Sequence, residues 1–211
     1  MFGITDLYLF IIAGILLNIT PGADMLYILS NGFQKGFKAG IIAMLGIGTG
    51  CLFHVFLAVV GLSAILKTSV VAFTIVKFMG VIYLMYLGFS LLFKSKAKSK
   101  EESVTLNNQT LKKVFSNGVL INSLNPKVAI FFITFLPQFI DVNASQQELG
   151  LLVLGLVFIV FATFVNIIIL YVSLQISGKF KYTQIFTSVI KKVVGSLFIL
   201  FGIKLATQDL I

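Results

Sequence analysis

The sequence predicts an all-α polytopic membrane protein with six transmembrane helices, arranged as two inverted three-helix repeats in which spans 1 and 4 are broken. Three observations predict this fold class. The chain is strongly apolar, with a mean hydropathy of +1.07 and only 11% charged residues. Two similar polar interruptions lie about half a chain apart inside apolar segments, and the lysines gather in alternate loops. Matched interruptions of this kind are typical of repeat-built secondary transporters.

Composition places nearly the whole chain in the membrane. Of 211 residues, 58% are hydrophobic, whereas a soluble domain has about 25% charged residues. Several apolar runs exceed the roughly 20 residues that cross a bilayer core, which leaves no room for an additional soluble domain. No basic residue precedes Lys35. The chain therefore lacks the charged start of a cleaved signal peptide, and the first apolar stretch is expected to remain as a span.

Six apolar segments define the expected spans. The first three form one repeat over residues 1–93, a polar cytoplasmic linker covers residues 94–113, and the last three form a second repeat over residues 114–211. Because each half holds three spans, an odd number, the second half must be inverted relative to the first. The spans are expected at about 7–30, 39–66, 70–93, 114–140, 148–176 and 184–206.

The lysines predict the orientation. The net charge is +9 and all 16 basic residues are lysines, most of them in the loops that join spans 1 and 2, 3 and 4, and 5 and 6. The positive-inside rule puts these loops in the cytoplasm and both termini outside. The same rule accounts for the excess of lysines with no partner other than the lipid bilayer, so no nucleic-acid partner is expected.

Spans 3 and 6 carry a second repeated pattern. In each, a lysine is followed three residues later by a glycine and, after three more, by an aromatic residue. The recurrence has the same chain order as the two interruptions and favours a duplicated three-plus-three plan. The positions are Lys77, Gly80 and Tyr83 in span 3, and Lys192, Gly195 and Phe198 in span 6.

The first interruption contains Asn18, Thr20, Pro21, Gly22 and Asp24. Proline removes a backbone donor and clashes with the preceding turn, while glycine permits dihedrals that other residues avoid. A helix that restarts near Asp24 would offer free N–H groups and a positive dipole end to an anion such as a carboxylate. The crowding of polar side chains favours a binding site over the alternative, a simple proline kink.

Asp24 is the only acidic residue well inside an apolar run. An ionisable group at membrane depth costs about 3 kcal/mol or more and usually marks an ion or proton pathway. Asp24 is therefore predicted to bind a substrate amino group or to carry a proton. Two alternatives stay open: it caps the second half-helix, or it pairs with Lys127 across the repeat.

The second interruption contains Asn122, Asn125, Pro126 and Lys127. Lys127 follows its proline much as Asp24 follows the first one, so the two halves bring opposite charges to their breaks. A zwitterionic substrate needs this arrangement. The alternative is that the Lys127 side chain extends to the cytoplasmic edge of the membrane.

His54 is the sole histidine and lies in the middle of span 2. Because histidine exchanges protons near neutral pH, His54 joins Asp24 as a candidate for proton coupling. Cys51 lies three residues earlier on the same helical face. These three side chains are a conceivable site for a soft divalent ion. A lone histidine among apolar residues is more often a hydrogen-bonded packing residue, however, so no bound metal is expected.

No motif of soluble catalysis is present. The chain has no Walker-type phosphate loop, no nucleophile elbow and no carboxylate pair. Neither an enzyme nor ATP-driven transport by this chain is expected, and no cofactor is implied.

Glycines at four-residue intervals allow close helix packing and permit a homodimer without requiring one. They are Gly32, Gly36, Gly40, Gly46 and Gly50.

The interruptions resemble those of a known family. Asn18-Ile-Thr-Pro-Gly-Ala-Asp24, followed by Gly36-Phe-Lys-Ala-Gly40, is similar to the LysE/RhtB family of amino-acid exporters. So is Asn125-Pro-Lys-Val-Ala-Ile-Phe-Phe132, running on to Phe135-Leu-Pro-Gln-Phe139. The family's usual Thr-Pro-Gly-Pro-Asp has Ala23 here in place of its second proline, which leaves the aspartate in register. The resemblance covers essentially the whole chain. It implies proton-driven export of amino acids or related metabolites across the bacterial cytoplasmic membrane.

One leading hypothesis and two rivals follow. The chain is expected to be a secondary exporter of an amino acid or small zwitterion, and a neutral one is favoured because only one buried acid is available. The half-helix N-termini and Lys127 would hold the carboxylate. Asp24, with Asn18 and Asn125, would hold the amino group or carry the coupling proton. The rivals are a divalent metal-ion exporter on a related scaffold that uses Asp24, Cys51 and His54, and a non-transporting membrane scaffold protein.

Overall fold

A computed structural model describes residues 2–68, 70–93, 109–141, 143–176 and 183–207. Within these residues the chain is helical apart from short connections and an isolated bridge between Ile4 and Ile140. The predicted all-α class is confirmed, and most of the predicted linker lies outside the described residues. The helices are α1 (Leu7–Ile19), α2 (Ala23–Lys35), α3 (Phe37–Thr68), α4 (Val70–Phe93), α5 (Leu111–Ser123), α6 (Pro126–Thr134), a 3-10 helix (Leu136–Phe139), α7 (Gln147–Ile176) and α8 (Thr183–Thr207).

Several helices are long and apolar enough to cross a membrane. In the described chain these are Phe37–Leu62, Thr74–Phe93 and Gln147–Gln175, or up to five spans if each of two bent helix pairs crosses as a unit. Large apolar side chains are exposed around these helices, as expected of a surface that meets lipid. The multi-pass membrane protein is confirmed. α8, at the predicted sixth span, is not among these candidates, and the six-span arrangement stays a prediction.

Both predicted interruptions break their helices. α1 and α2 bend by 56° across the first, and α5 and α6 with the 3-10 helix bend by 49° across the second. α6 starts with Pro126, where the missing N–H is harmless because the first N–H groups of a helix have no partner within it. The side-chain oxygen of Asn125 caps α6 by accepting a hydrogen bond from the backbone N–H of Lys127 at 3.0 Å.

Two pairs of long helices pack in antiparallel directions. Gly40, near the start of α3, contacts Leu170 near the end of α7, whereas Val55, further along α3, contacts Gly155 early in α7.

α4 and α8 show the same reversal. Gly88 contacts Gly195, while the earlier Met85 contacts the later Gly202. α3 and α7 are thus antiparallel, and so are α4 and α8.

Close backbone packing explains the glycines of α3. Gly46 and Gly50 lie against the backbone of α5, and Gly118 of α5 lies against the backbone of α3. Gly32 and Gly40 face Leu170 of α7. Gly32, Gly40, Gly46 and Gly50 thus serve contacts within the chain, as small residues do in membrane bundles. A Cβ at Gly36 would meet nothing within 4 Å, and the homodimer stays a prediction.

An aromatic cluster fills the protein on one side of the two breaks. Its rings belong to α1, to α6 with the 3-10 helix, and to α7, with centroids 4.9–6.4 Å apart. Beyond it, the backbone before α1 is hydrogen-bonded to the segment after the 3-10 helix. A smaller apolar cluster packs α2, α3, α5 and α7 on the other side. The rings of the first cluster are those of Phe10, Phe131, Phe132, Phe135, Phe139 and Phe158.

Candidate functional site

The two breaks meet at a cavity in the middle of the bundle. Its volume is about 40 Å³, which is room for more than one water-sized group. α3 and α7 supply its remaining walls. Seven of the nine residues predicted at the breaks line it, namely Asn18, Thr20, Gly22, Asp24, Asn122, Asn125 and Lys127. Pro21 and Pro126 are exposed and do not line it.

Asp24 is held by the second break. Its Oδ2 accepts hydrogen bonds from Nδ2 of Asn122 at 3.0 Å and Nδ2 of Asn125 at 2.9 Å. The N-cap of α2 is Gly22, so Asp24 lies in the first turn and is not the cap. Its other oxygen, Oδ1, is buried and has no hydrogen-bond partner among the described residues, and the same holds for Oδ1 of Asn122. Two buried acceptors beside one cavity are thus ready for a donor.

Lys127 is bound to the first break. Its Nζ donates to the carbonyl oxygen of Leu17 at 2.7 Å and to that of Thr20 at 2.8 Å. The side chain therefore turns into the protein and does not extend to the membrane edge. Within the described chain no ion pair joins Lys127 to Asp24, so each charge is held by polar groups of the opposite break.

Asn18 and Thr20 bond mainly to their own helix. Nδ2 of Asn18 donates to the carbonyl of Gly14, and the hydroxyl of Thr20 donates to the carbonyl of Leu16, both at 2.8 Å. The carbonyl of Leu16 also accepts the backbone N–H of Thr20 at 3.1 Å, so the hydroxyl adds a second bond to it. Both side chains still face the cavity.

His54 lies behind the cavity wall. It is buried, and its Nε2 lies 2.8 Å from the backbone carbonyl oxygen of Asn122. Because a carbonyl only accepts, this nitrogen carries the hydrogen. The ring stacks on Phe132 with a centroid distance of 6.1 Å. His54 thus positions the end of α5, whereas Cys51, one turn earlier, lines the cavity itself.

The long helices supply wall residues that the break motifs did not predict. Thr163 and Asn166 of α7 add polar groups, and Asn166 was noticeable in the sequence as a polar residue inside a very apolar span. The apolar part of the wall carried no sequence signal. It includes Leu17, Met44, Ile47, Val128, Phe158 and Ile159.

The rival metal site receives no support from the geometry. In the described part of the chain, no group of three or more His, Cys, Asp or Glu side chains is placed to hold a metal ion. Cys51 faces the cavity while His54 points to the backbone of α5, so the two do not converge.

Gly22 leaves space for the Lys127 side chain, and this space can be tested. A Cβ at Gly22 would lie 3.7 Å from Cδ and Nζ of Lys127, an ordinary contact, and the backbone φ of −158° suits any residue. Gly22→Ala should therefore be tolerated. Gly22→Leu should displace Lys127 and lower the unfolding temperature in detergent by about 3–10 °C, from lost charge-assisted bonds. Equal losses in both variants would contradict this explanation.

Comparison with known proteins identifies the family. A family model described as LysE type translocator matches residues 15–209. An uncharacterized membrane protein of Bacillus subtilis (strain 168), YrhP, is 32% identical over 196 residues, covering 88% of this chain and 91% of that protein. A leucine efflux protein of Salmonella choleraesuis (strain SC-B67) is 31% identical over 216 aligned residues, covering 98% of this chain and 97% of that protein.

No solved structure matches this chain. The family match nonetheless spans nearly the whole sequence, and both relatives exceed 30% identity with almost complete coverage. These findings confirm the family that the two break motifs predicted. The protein belongs to the LysE type translocator family.

Proposed function

We propose that this translocator is a secondary active exporter of neutral amino acids across the bacterial cytoplasmic membrane. The observation that carries the proposal is the pair of unpartnered acceptors, Oδ1 of Asp24 and Oδ1 of Asn122, beside a cavity that also holds Lys127. A substrate ammonium would supply the missing donor. The leucine efflux protein among the relatives supports an amino-acid cargo.

The carboxylate of the substrate would also find partners at the cavity. Lys127 uses two of its three N–H donors on backbone carbonyls and keeps one for a carboxylate. The first turn of α2 has no side-chain cap, so its N–H groups and dipole also favour an anion. The apolar walls from α1, α3, α6 and α7 suit an aliphatic side chain such as that of leucine.

The antiparallel packing of corresponding helices supports the inverted repeat. In a parallel repeat, α3 and α7 would point the same way, whereas their contacts run in opposite directions. Inverted halves that meet at a midplane site are suited to alternating access by rocking of one half against the other. With the lysine-rich loops in the cytoplasm, the aromatic cluster closes the outer side of the site.

The direct test is counterflow in proteoliposomes. Vesicles loaded with unlabelled leucine and diluted into labelled leucine should accumulate the label. Lysine should be a poor substitute, because the described lining of the cavity has no second acid to pair with its side-chain ammonium. An imposed leucine gradient should drive protons in the opposite direction, measured with a trapped pH dye. The absence of amino-acid counterflow by folded protein, or transport of a divalent metal in its place, would overturn the proposal.

His54 and Asp24 are both candidates for the coupling proton, and their positions separate them. Asp24 lines the cavity, whereas His54 lies behind it and bonds the backbone of Asn122. His54→Gln keeps a donor for that carbonyl, so counterflow should fall by less than about tenfold, the worth of one neutral hydrogen bond, and the response to a pH gradient should persist. Loss of the pH response with counterflow intact would instead assign the proton to His54.

A further inference from the structure

The end of α1 is built to receive a positive charge. Leu17 O would normally accept the N–H of the residue four positions later, but that residue is Pro21, which has none. Thr20 O lies in the extended break just beyond the helix. Carbonyls at a helix C-terminus carry the negative end of the dipole, and in a membrane they need a partner. Pro21 therefore creates the acceptor group even though its own ring does not line the cavity.

Lys127 supplies the charge from the other half. Its Nζ lies 2.7 Å from Leu17 O and 2.8 Å from Thr20 O, across 110 and 107 positions of sequence. The side chain passes Gly22, where a longer side chain would obstruct it. The carboxylate of Asp24 lines the same cavity and adds a compensating negative charge.

The carbonyl oxygens of Leu17 and Thr20 are the kind of ligand that binds a cation. In secondary transporters, unwound backbone carbonyls and half-helix C-termini coordinate the coupling cation. We propose that the end of α1 is a monovalent-cation site whose resident cation is the ammonium group of Lys127, and that transport requires a positive charge there. The transport part rests on the proposed exporter function, whereas the cation site itself does not.

The charge and the size of the residue at position 127 should together determine whether an added cation can bind at the end of α1. Lys127→Ala removes the ammonium and leaves room for a small cation, whereas Lys127→Met removes the charge and keeps the space filled. Lys127→Arg retains a positive charge. Lys204→Ala is a matched lysine deletion far from the cavity, since Lys204 is exposed and pairs with Asp6 at 3.8 Å.

The first measurement is thermal unfolding of substrate-free protein in detergent. Lys127→Ala is purified in methylammonium chloride, which is then exchanged for choline chloride at equal ionic strength. Removal should lower its unfolding temperature by about 3–10 °C, and methylammonium or Na⁺ should restore it with a saturable dependence. The wild type, Lys127→Met and Lys204→Ala should not respond. An absence of any saturable response by Lys127→Ala would overturn the cation site.

The second measurement is leucine counterflow of the same variants. The wild type should work equally in choline, Na⁺ and methylammonium salts. Lys127→Ala should lose most activity in choline and regain it with methylammonium or Na⁺, while Lys127→Met should stay inactive in all three. Full activity of Lys127→Ala in choline would overturn the need for a charge. Cation-dependent stability of Lys127→Ala, with no counterflow by the wild type, would refute the exporter function and leave the cation site intact.

If Lys127→Ala does not fold, the stabilities of Lys127→Arg and Lys127→Met are compared instead. Lys127→Arg should then be more stable than Lys127→Met, because only arginine offers a charge to the carbonyls of Leu17 and Thr20. Equal unfolding temperatures of the arginine and methionine variants would overturn the proposal.

Discussion

Asp24→Asn is expected to lower the apparent affinity for leucine by about 10- to 100-fold, the effect of losing one hydrogen bond to a charged group. The asparagine oxygen can still accept from Asn122 and Asn125, so the two breaks stay joined. Its amide nitrogen, however, takes the place of the free Oδ1 and turns a donor toward the substrate ammonium. The measurement is the concentration dependence of leucine counterflow in proteoliposomes.

The control for this variant is Asp141→Asn. Asp141 is exposed, and its Oδ1 accepts from the backbone N–H of Asn143 at 2.8 Å, a bond that asparagine can keep. This variant removes the same charge without touching the cavity and should transport like the wild type. Unchanged leucine affinity in Asp24→Asn would refute the ammonium site. Equal losses in both variants would trace the effect to net charge.

Gly46→Ala is expected to destabilise the packing of α3 against α5. A Cβ at Gly46 would overlap the backbone carbonyl of Phe115 and lie 3.2 Å from Cα of Gly118. Backbone atoms cannot rotate aside, so α3 and α5 must separate. Overpacking of this kind costs about 1–3 kcal/mol, or about 3–10 °C in unfolding temperature for a chain of this size.

Gly61→Ala is the matched control on the same helix. Nothing lies within 4 Å of a Cβ at Gly61, so alanine there should be neutral or slightly stabilising, since it favours the helix by up to about 1 kcal/mol. Thermal unfolding in detergent compares the two variants. An unfolding temperature of Gly46→Ala equal to that of Gly61→Ala would show that the α3–α5 contact is looser than the structure has it.

Sequence reasoning succeeded where the cause is local. The missing N–H of proline breaks a helix wherever it stands in the interior, so both bends were predictable from Pro21 and Pro126. The number of spans stays a prediction, because three helices of the described chain qualify singly and the two bent pairs qualify only if each crosses the membrane as a unit.

The roles of the polar residues were harder to predict. Cys51 and His54 share a helical face by spacing, yet one lines the cavity and the other bonds the end of α5. Lys127 was expected to reach either the site or the membrane edge, and its actual partners are carbonyls more than a hundred positions away. Backbone carbonyls are present at every residue, so no sequence pattern marks which of them are free.

The sequence by itself determined a membrane protein with two broken helices, a single deep aspartate and the motifs of its family, because hydropathy and proline chemistry act residue by residue. Only the tertiary structure decided which groups face one another across the breaks and which apolar side chains line the cavity. The physical reason is the solvent. In lipid, both the outer and the inner faces of a helix are apolar, so the periodicity that reveals the buried face of a soluble helix is weak.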